Sequence, residues 1–192
     1  MSAPALPSDA ALIVIDVQNA IDDPKWGPRN TPGAEANIAA LLQAFRRGGR
    51  AIFHIRHDST SADSPYRPGQ AGNDFKREAM PLSGESVIAK RTNSAFIGTN
   101  LEARLRRGGH ATLVVAGVLT HNSVEATVRM AGNLGFDTLV VADATWAVEK
   151  IDGRGRRWPA DDVHALSLAN MDGEYARVVE TAAVLAACAD AA

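Results

Sequence analysis

Three side chains suited to chemistry sit where strands end. Asp16 closes the apolar run ALIVID, Lys90 closes SVIAK, and Ser123 lies in LTHNS, where an apolar run gives way to an amphipathic one. A carboxylate can move protons, an amine can hold negative charge, and a hydroxyl can attack a carbonyl. Opposite charges side by side keep each other ionised even when partly buried. Amides at the start of the helix after Ser123 would favour a developing oxyanion. Each residue also has a structural reading: Asp16 as a turn residue, Lys90 as a solvated strand end, Ser123 as a helix cap. Spacing alone leaves these alternatives open.

The elements around them decide whether they meet. Residues 11–16 form an apolar strand without alternation, which fits burial on both faces. A helix is predicted over 33–48, with Ile38, Leu41, Leu42 and Phe45 on one stripe. Strands follow at 50–55 and 86–90, separated by a polar loop over 57–85, long enough to suggest a functional role. The pattern continues with a helix at 100–107, a strand at 111–119, a helix at 121–134 and a strand at 138–142. A helix over 159–171, a weak strand at 176–179 and a helix over 182–189 complete it. Strands and helices alternate without a repeat or linker, so residues 1–192 read as a single α/β domain with a mainly parallel sheet. Ligands of such folds bind beyond the carboxyl ends of the strands, where Asp16, Lys90 and Ser123 fall.

Composition narrows the function. With 192 residues, 22% charged, 46% hydrophobic and a net charge of −2, the chain reads as an ordinary globular domain. Nothing in that balance attracts nucleic acid or an acidic membrane. The N-terminus MSAPALPSDA lacks a secretory pattern, and no apolar run spans a bilayer, so a cytoplasmic location is expected. The single cysteine, Cys188, sits in an alanine-rich tail, poorly held for catalysis.

The stretches LIVIDVQNAIDD, HIRHDS, VIAKRTNSAFIGTNLEARLRRGG, VVAGVLTHNSVEATVRMAGNLGFD and VVADAT together resemble the isochorismatase-like, or cysteine hydrolase, family. The resemblance spans most of residues 11–179. It implies a three-layer α/β/α sandwich around a six-stranded, mainly parallel, Rossmann-like sheet, and a homodimer or homotetramer acting on a small molecule. It also implies a cis peptide just before Thr120. The family's amide-cleaving members use aspartate, lysine and cysteine, which fall on Asp16, Lys90 and Ser123. The departure is the serine. A thiol ionises near pH 8.5, whereas a hydroxyl needs a well-matched base. Asp16 starts near pKa 4 and matches poorly unless burial raises it, while Lys90 beside it pulls the other way. The resemblance therefore leaves three readings: cleavage of an amide or carbamoyl C–N bond with Ser123 in place of cysteine, non-covalent vinyl-ether cleavage with Asp16 as acid, or a catalytically weak small-ligand-binding or oligomeric protein.

Gln18, Trp26, His57, Phe75, Leu119 and Thr120 are the expected substrate contacts, and Arg56, Arg67 and Arg91 are available to an anionic substrate. Nicotinamidases of the family hold a metal after the second strand. HIRHDS lacks their Asp-x-His arrangement, so neither a metal nor another cofactor is expected. His54 is expected to face the core, and His164 to approach the pocket from its helix.

Overall fold

The computed structural model describes residues 6–189. Its central sheet has six strands in the order β3-β2-β1-β4-β5-β8, and every pairing is parallel. They are β1 (Ala11–Ile15), β2 (Ile52–His57), β3 (Ser86–Lys90), β4 (Thr112–Val118), β5 (Asp137–Trp146) and β8 (Arg177–Val179). A two-stranded hairpin, β6 (Lys150–Ile151) with β7 (Arg157–Trp158), stands apart and has no counterpart in the sequence reading.

The unalternating apolar strands are buried on both faces, as their composition demands. On one face Leu12, Val14, Val114, Ala116 and Leu139 pack against α1 (Ala34–Arg47) and α5 (Thr181–Ala189). On the other, Ile13, Ile15, Phe53, Leu113 and Val115 meet α2 (Leu101–Arg107), α3 (Glu125–Asn133) and α4 (Ala160–Met171). Helix, sheet and helix make the three layers. Burying each Leu, Ile or Phe contributes about 1.5–3 kcal/mol, so these two cores are the main source of stability. Among the described residues, no helix is long and apolar enough to cross a membrane.

Three local features depart from the sequence reading, and all lie at the carboxyl edge of the sheet. The helix expected from residue 121 opens as a π-helical turn over Thr120–Val124, and α3 starts only at Glu125. The wider turn brings the N–H groups of Asn122 and Val124 both onto the Leu119 carbonyl, at 3.0 and 3.2 Å, so those two amides are already occupied. The cis peptide is Val118–Leu119, one bond earlier than expected. The fifth strand runs on to Trp146, past a register shift between Val115 and Gly117.

Gly117 has a physical reason to be glycine. Its φ is +117°, and a Cβ there would stand 2.2 Å from the Ile15 carbonyl oxygen. Only a bare backbone lets β4 come this close to the residue that precedes Asp16. Asp16 itself has φ +55°, a left-handed conformation that aspartate tolerates better than most residues.

Candidate active site

Asp16, Lys90 and Ser123 come together, though not as neighbours along an edge. β2 lies between β3 and β1, so Lys90 reaches across it. Its Nζ donates to Asp16 Oδ2 at 2.6 Å, to the Thr92 carbonyl at 3.0 Å and to Ser123 Oγ at 3.2 Å. His57 Nδ1 is 3.4 Å from the same nitrogen. The lysine side chain is wholly buried, Asp16 is 4% exposed, and Asp16 Oδ1 is buried without a hydrogen-bond partner.

The electrostatics set burial against charge at Asp16. Burial is the largest influence on Asp16 and raises its pKa above the ordinary carboxylate value. Lys90, the nearby Ser123 hydroxyl and His57 pull it down, but burial wins. The carboxyl is thus a better match to a weakly acidic hydroxyl than its residue type suggests. His57 moves the other way. Burial and then the charge of Lys90 lower its pKa against the opposing pull of Asp16 and Asp58, so it is neutral near pH 7.

Above the trio opens a cleft of about 390 Å³. Asp16, Ser123, Val118 and Leu119 line it together with His57, Ile21, Trp26 and Tyr66. Ser59, Ser61, Asp63 and Ser64 reach it from the long loop, and Lys25, Asn93 and Asn122 complete the lining. Tyr66 stands edge-on to both Trp26 and His57, with centroids 6.2 and 5.6 Å apart. Burial, and then the charge of Asp16, push its hydroxyl well above the usual tyrosine range, so it keeps its proton.

Of the expected substrate contacts, Trp26, His57 and Leu119 line this cleft. Gln18, Phe75 and Thr120 do not. Gln18 is fully buried and clamps the backbone: its Nε2 donates to the carbonyls of His57 and Asn73, and its Oε1 accepts from His57 N at 2.7 Å. Asn73 repeats the device, with Nδ2 donating to the carbonyls of His57 and Tyr66 and to Asp58 Oδ1. Together they pin His57 and the long loop to the sheet. Phe75 is half-buried with its ring edge-on to His54, because its backbone bridges to Gln18 and turns it away from the cleft. Thr120 is buried as the first residue of the π turn, its hydroxyl 2.9 Å from His164 Nδ1. His164 therefore reaches Thr120.

The three arginines also stand outside the cleft. Arg56 pairs with Asp58, and Arg67 and Arg91 line a separate surface recess. The cation in the cleft lining is Lys25, which sequence reading passed over. His54 faces the core as expected, with Nε2 2.8 Å from Glu85. No group of three or more His, Cys, Asp or Glu side chains among the described residues is placed to hold a metal. Cys188 packs beside the α1 core, and burial raises its thiol pKa. The serine-rich lining went unread because serines in a loop look like ordinary solvated chain. The one available signal was the length of the loop.

This fold and this trio define a protein class. The isochorismatase-domain profile matches residues 10–183, and the chain belongs to the isochorismatase family. The isochorismatase family protein YrdC of Bacillus subtilis is 41% identical over 171 residues, covering 89% of this chain and 91% of that one. A crystal structure of an isochorismatase-family protein from Chromobacterium violaceum superposes with a TM-score of 0.93 at 58% identity, covering 96% of this chain and 95% of that one. Ureidoacrylate amidohydrolase RutB of Variovorax paradoxus is 29% identical over 173 residues, covering 72% of this chain and 69% of that protein.

Proposed function

We propose that this protein is a small-molecule hydrolase that cleaves the C–N bond of an amide or carbamoyl compound, with Ser123 as nucleophile. The observation that carries this reading is the Ser123 hydroxyl in the lining of the cleft, 3.2 Å from Lys90 Nζ and beside a carboxyl whose pKa burial has raised. Asp16 takes the hydroxyl proton as Oγ attacks the carbonyl carbon, and Lys90 holds the charge on both. Water then releases the acyl group. The likeness to an amidohydrolase of ureidoacrylate supports the bond type. The cleft volume limits the substrate to a small molecule, and Trp26 and Tyr66 favour a flat acyl group.

One observation supports a second reading. A raised Asp16 with a free Oδ1 also suits a general acid that protonates a vinyl ether, with Ser123 only hydrogen-bonding. The test is a mass-spectrometric hydrolysis screen of amides, ureido acids, carbamoyl compounds and isochorismate. Ser123→Ala, Ser123→Cys and Asp16→Asn run beside the natural chain. Amide turnover lost in both Ser123→Ala and Asp16→Asn supports the serine mechanism. Isochorismate turnover that survives Ser123→Ala but not Asp16→Asn replaces it with the acid mechanism. Activity confined to Ser123→Cys refutes both and leaves a ligand-binding protein.

A further inference from the structure

Lys90 Nζ has three protons to give and four acceptors within reach. Asp16 Oδ2 and the Thr92 carbonyl hold two of them at 2.6 and 3.0 Å. The third is contested between Ser123 Oγ at 3.2 Å and His57 Nδ1 at 3.4 Å. An amine that donates to His57 Nδ1 needs a lone pair on that nitrogen, which puts the imidazole proton on Nε2, across the ring.

The proposed serine mechanism, on which the following rests, leaves a proton on a carboxyl that is 4% exposed. An amine leaving group in the cleft needs one. Besides Asp16 itself, His57 is the titratable side chain that both touches Lys90 and lines the cleft. Tyr66 lines it too but holds its proton too tightly to give it up. Lys25 and Asp63 are exposed and neither reaches Lys90: Lys25 Nζ donates to the Asp63 carbonyl at 3.4 Å and lies 4.9 Å from the centroid of the Trp26 ring.

We infer that His57 is a catalytic residue that delivers the proton to the leaving nitrogen, fed from Asp16 through Lys90. As the C–N bond breaks, His57 Nε2–H passes to the departing nitrogen. Lys90 gives one N–H proton to His57 Nδ1 and takes one from the Asp16 carboxyl, so its own charge is unchanged. Water then attacks the acyl-serine ester and loses a proton to the vacated Nε2. Nδ1 returns its proton to Lys90, Lys90 returns one to Asp16, and Asp16 reprotonates Ser123. The sum is amide plus water to acid plus amine.

The relay separates substrates by leaving group, and two acetyl donors test it. The nitrophenolate of p-nitrophenyl acetate departs without a proton, whereas the amine of p-nitroacetanilide requires one. Both are offered to the full chain, to His57→Gln and to His57→Asn, with acetylation of Ser123 read by peptide mass spectrometry. His57→Gln should slow anilide cleavage about 100-fold, in the range general acid–base catalysis provides. It should change the first-turnover release of nitrophenolate from the ester, which precedes the deacylation step that His57 serves, by less than about threefold. An equal loss on both donors, with either variant, or acetylation from the ester without anilide turnover by the natural chain, overturns the relay alone. A natural chain left unacetylated at Ser123 overturns the serine mechanism and the relay with it. A readout needing no variant is the histidine ring ¹⁵N spectrum of the natural chain: a proton on Nε2 of His57 is required, and a proton on Nδ1 refutes the inference.

Discussion

Replacing Lys90 with methionine should make the protein's stability depend on pH in a way that reports on Asp16. Methionine fills the buried space of the lysine stem without its charge. The change leaves Asp16 buried without its cation: Oδ1 already lacks a partner, and Oδ2 loses its 2.6 Å contact and keeps only the nearby Ser123 hydroxyl. Breaking a buried pair from one side costs about 3–5 kcal/mol. The carboxyl can escape that cost by taking up a proton. Its folded pKa is raised, so the folded protein keeps a proton that the unfolded chain has already lost. Stability is therefore fully present below the ordinary carboxylate value and is lost as pH rises through the raised one. The loss relative to the natural chain should reach about 3–5 kcal/mol at pH 8. It should shrink on acidification by up to about 1.4 kcal/mol per pH unit. Urea unfolding at four pH values between 5 and 8, at one protein concentration, measures it. Adding Asp16→Asn removes the stranded charge, and asparagine tolerates the left-handed backbone at φ +55°. The double variant should then exceed Lys90→Met in stability at pH 8 and converge with it at pH 5. A loss for Lys90→Met below about 1 kcal/mol that stays flat across that range would refute the claim that burial governs this carboxyl.

Three further outcomes are expected. Gly117→Ala forces a Cβ to within 2.2 Å of the Ile15 carbonyl at φ +117°, so it should cost more than about 2 kcal/mol by thermal or urea unfolding. His121 has both ring nitrogens buried and unpartnered, and burial, followed by Lys150, lowers its pKa to about 4. An NMR titration should place its midpoint there. The stability linked to it is full above about pH 6.5 and is lost as pH falls toward 4, a loss that His121→Leu should abolish. At Glu85, burial would raise the pKa, but the hydrogen bonds from Arg46, the Leu82 amide and His54 bring it down to about 2. Its stabilisation is present above about pH 4.5 and disappears as pH falls toward 2, so Glu85→Gln should flatten the acid limb of the unfolding curve over that window.

Much of the fold was legible because its signals are local. Unbroken apolar runs such as ALIVID and the stretch from Thr112 to Val118 can only be strands covered on both sides, and the amphipathic stripe of α1 declares its buried face. Asp16, Lys90 and Ser123 were legible because parallel strands present their carboxyl ends on one side. The unread parts depend on long-range geometry. Gln18 is polar, lies two residues from Asp16 and reads as a pocket residue, yet it is spent on the backbone of His57, 39 positions away. Phe75 reads as a pocket wall because it is aromatic and in the long loop, yet one backbone bridge turns it away. The π turn left no local trace, since THNSV is an acceptable start for an ordinary helix.

Under the proposed serine mechanism, the position of Asp16 bears on how Ser123 can act where the family resemblance places a cysteine. With cysteine, the nucleophile supplies most of the acidity, and an ionised pair beneath it is enough. With serine, the base must be stronger, and there are two ways to strengthen a carboxylate: remove its cation or remove its water. This site keeps the cation at 2.6 Å and removes the water. Gly117 takes part in this, since it permits the close approach of β4 to Ile15, the residue before Asp16, and β4 leads directly to Leu119 and Ser123 at the same cleft. Widening that contact would let water reach the carboxyl, return it toward its ordinary pKa, and weaken serine chemistry before it affected a thiol. Gly117→Ala combined with Ser123→Cys should therefore retain a larger share of the Ser123→Cys rate than Gly117→Ala alone retains of the natural one. Equal shares in the two backgrounds would mean that the close packing of β4 serves stability only.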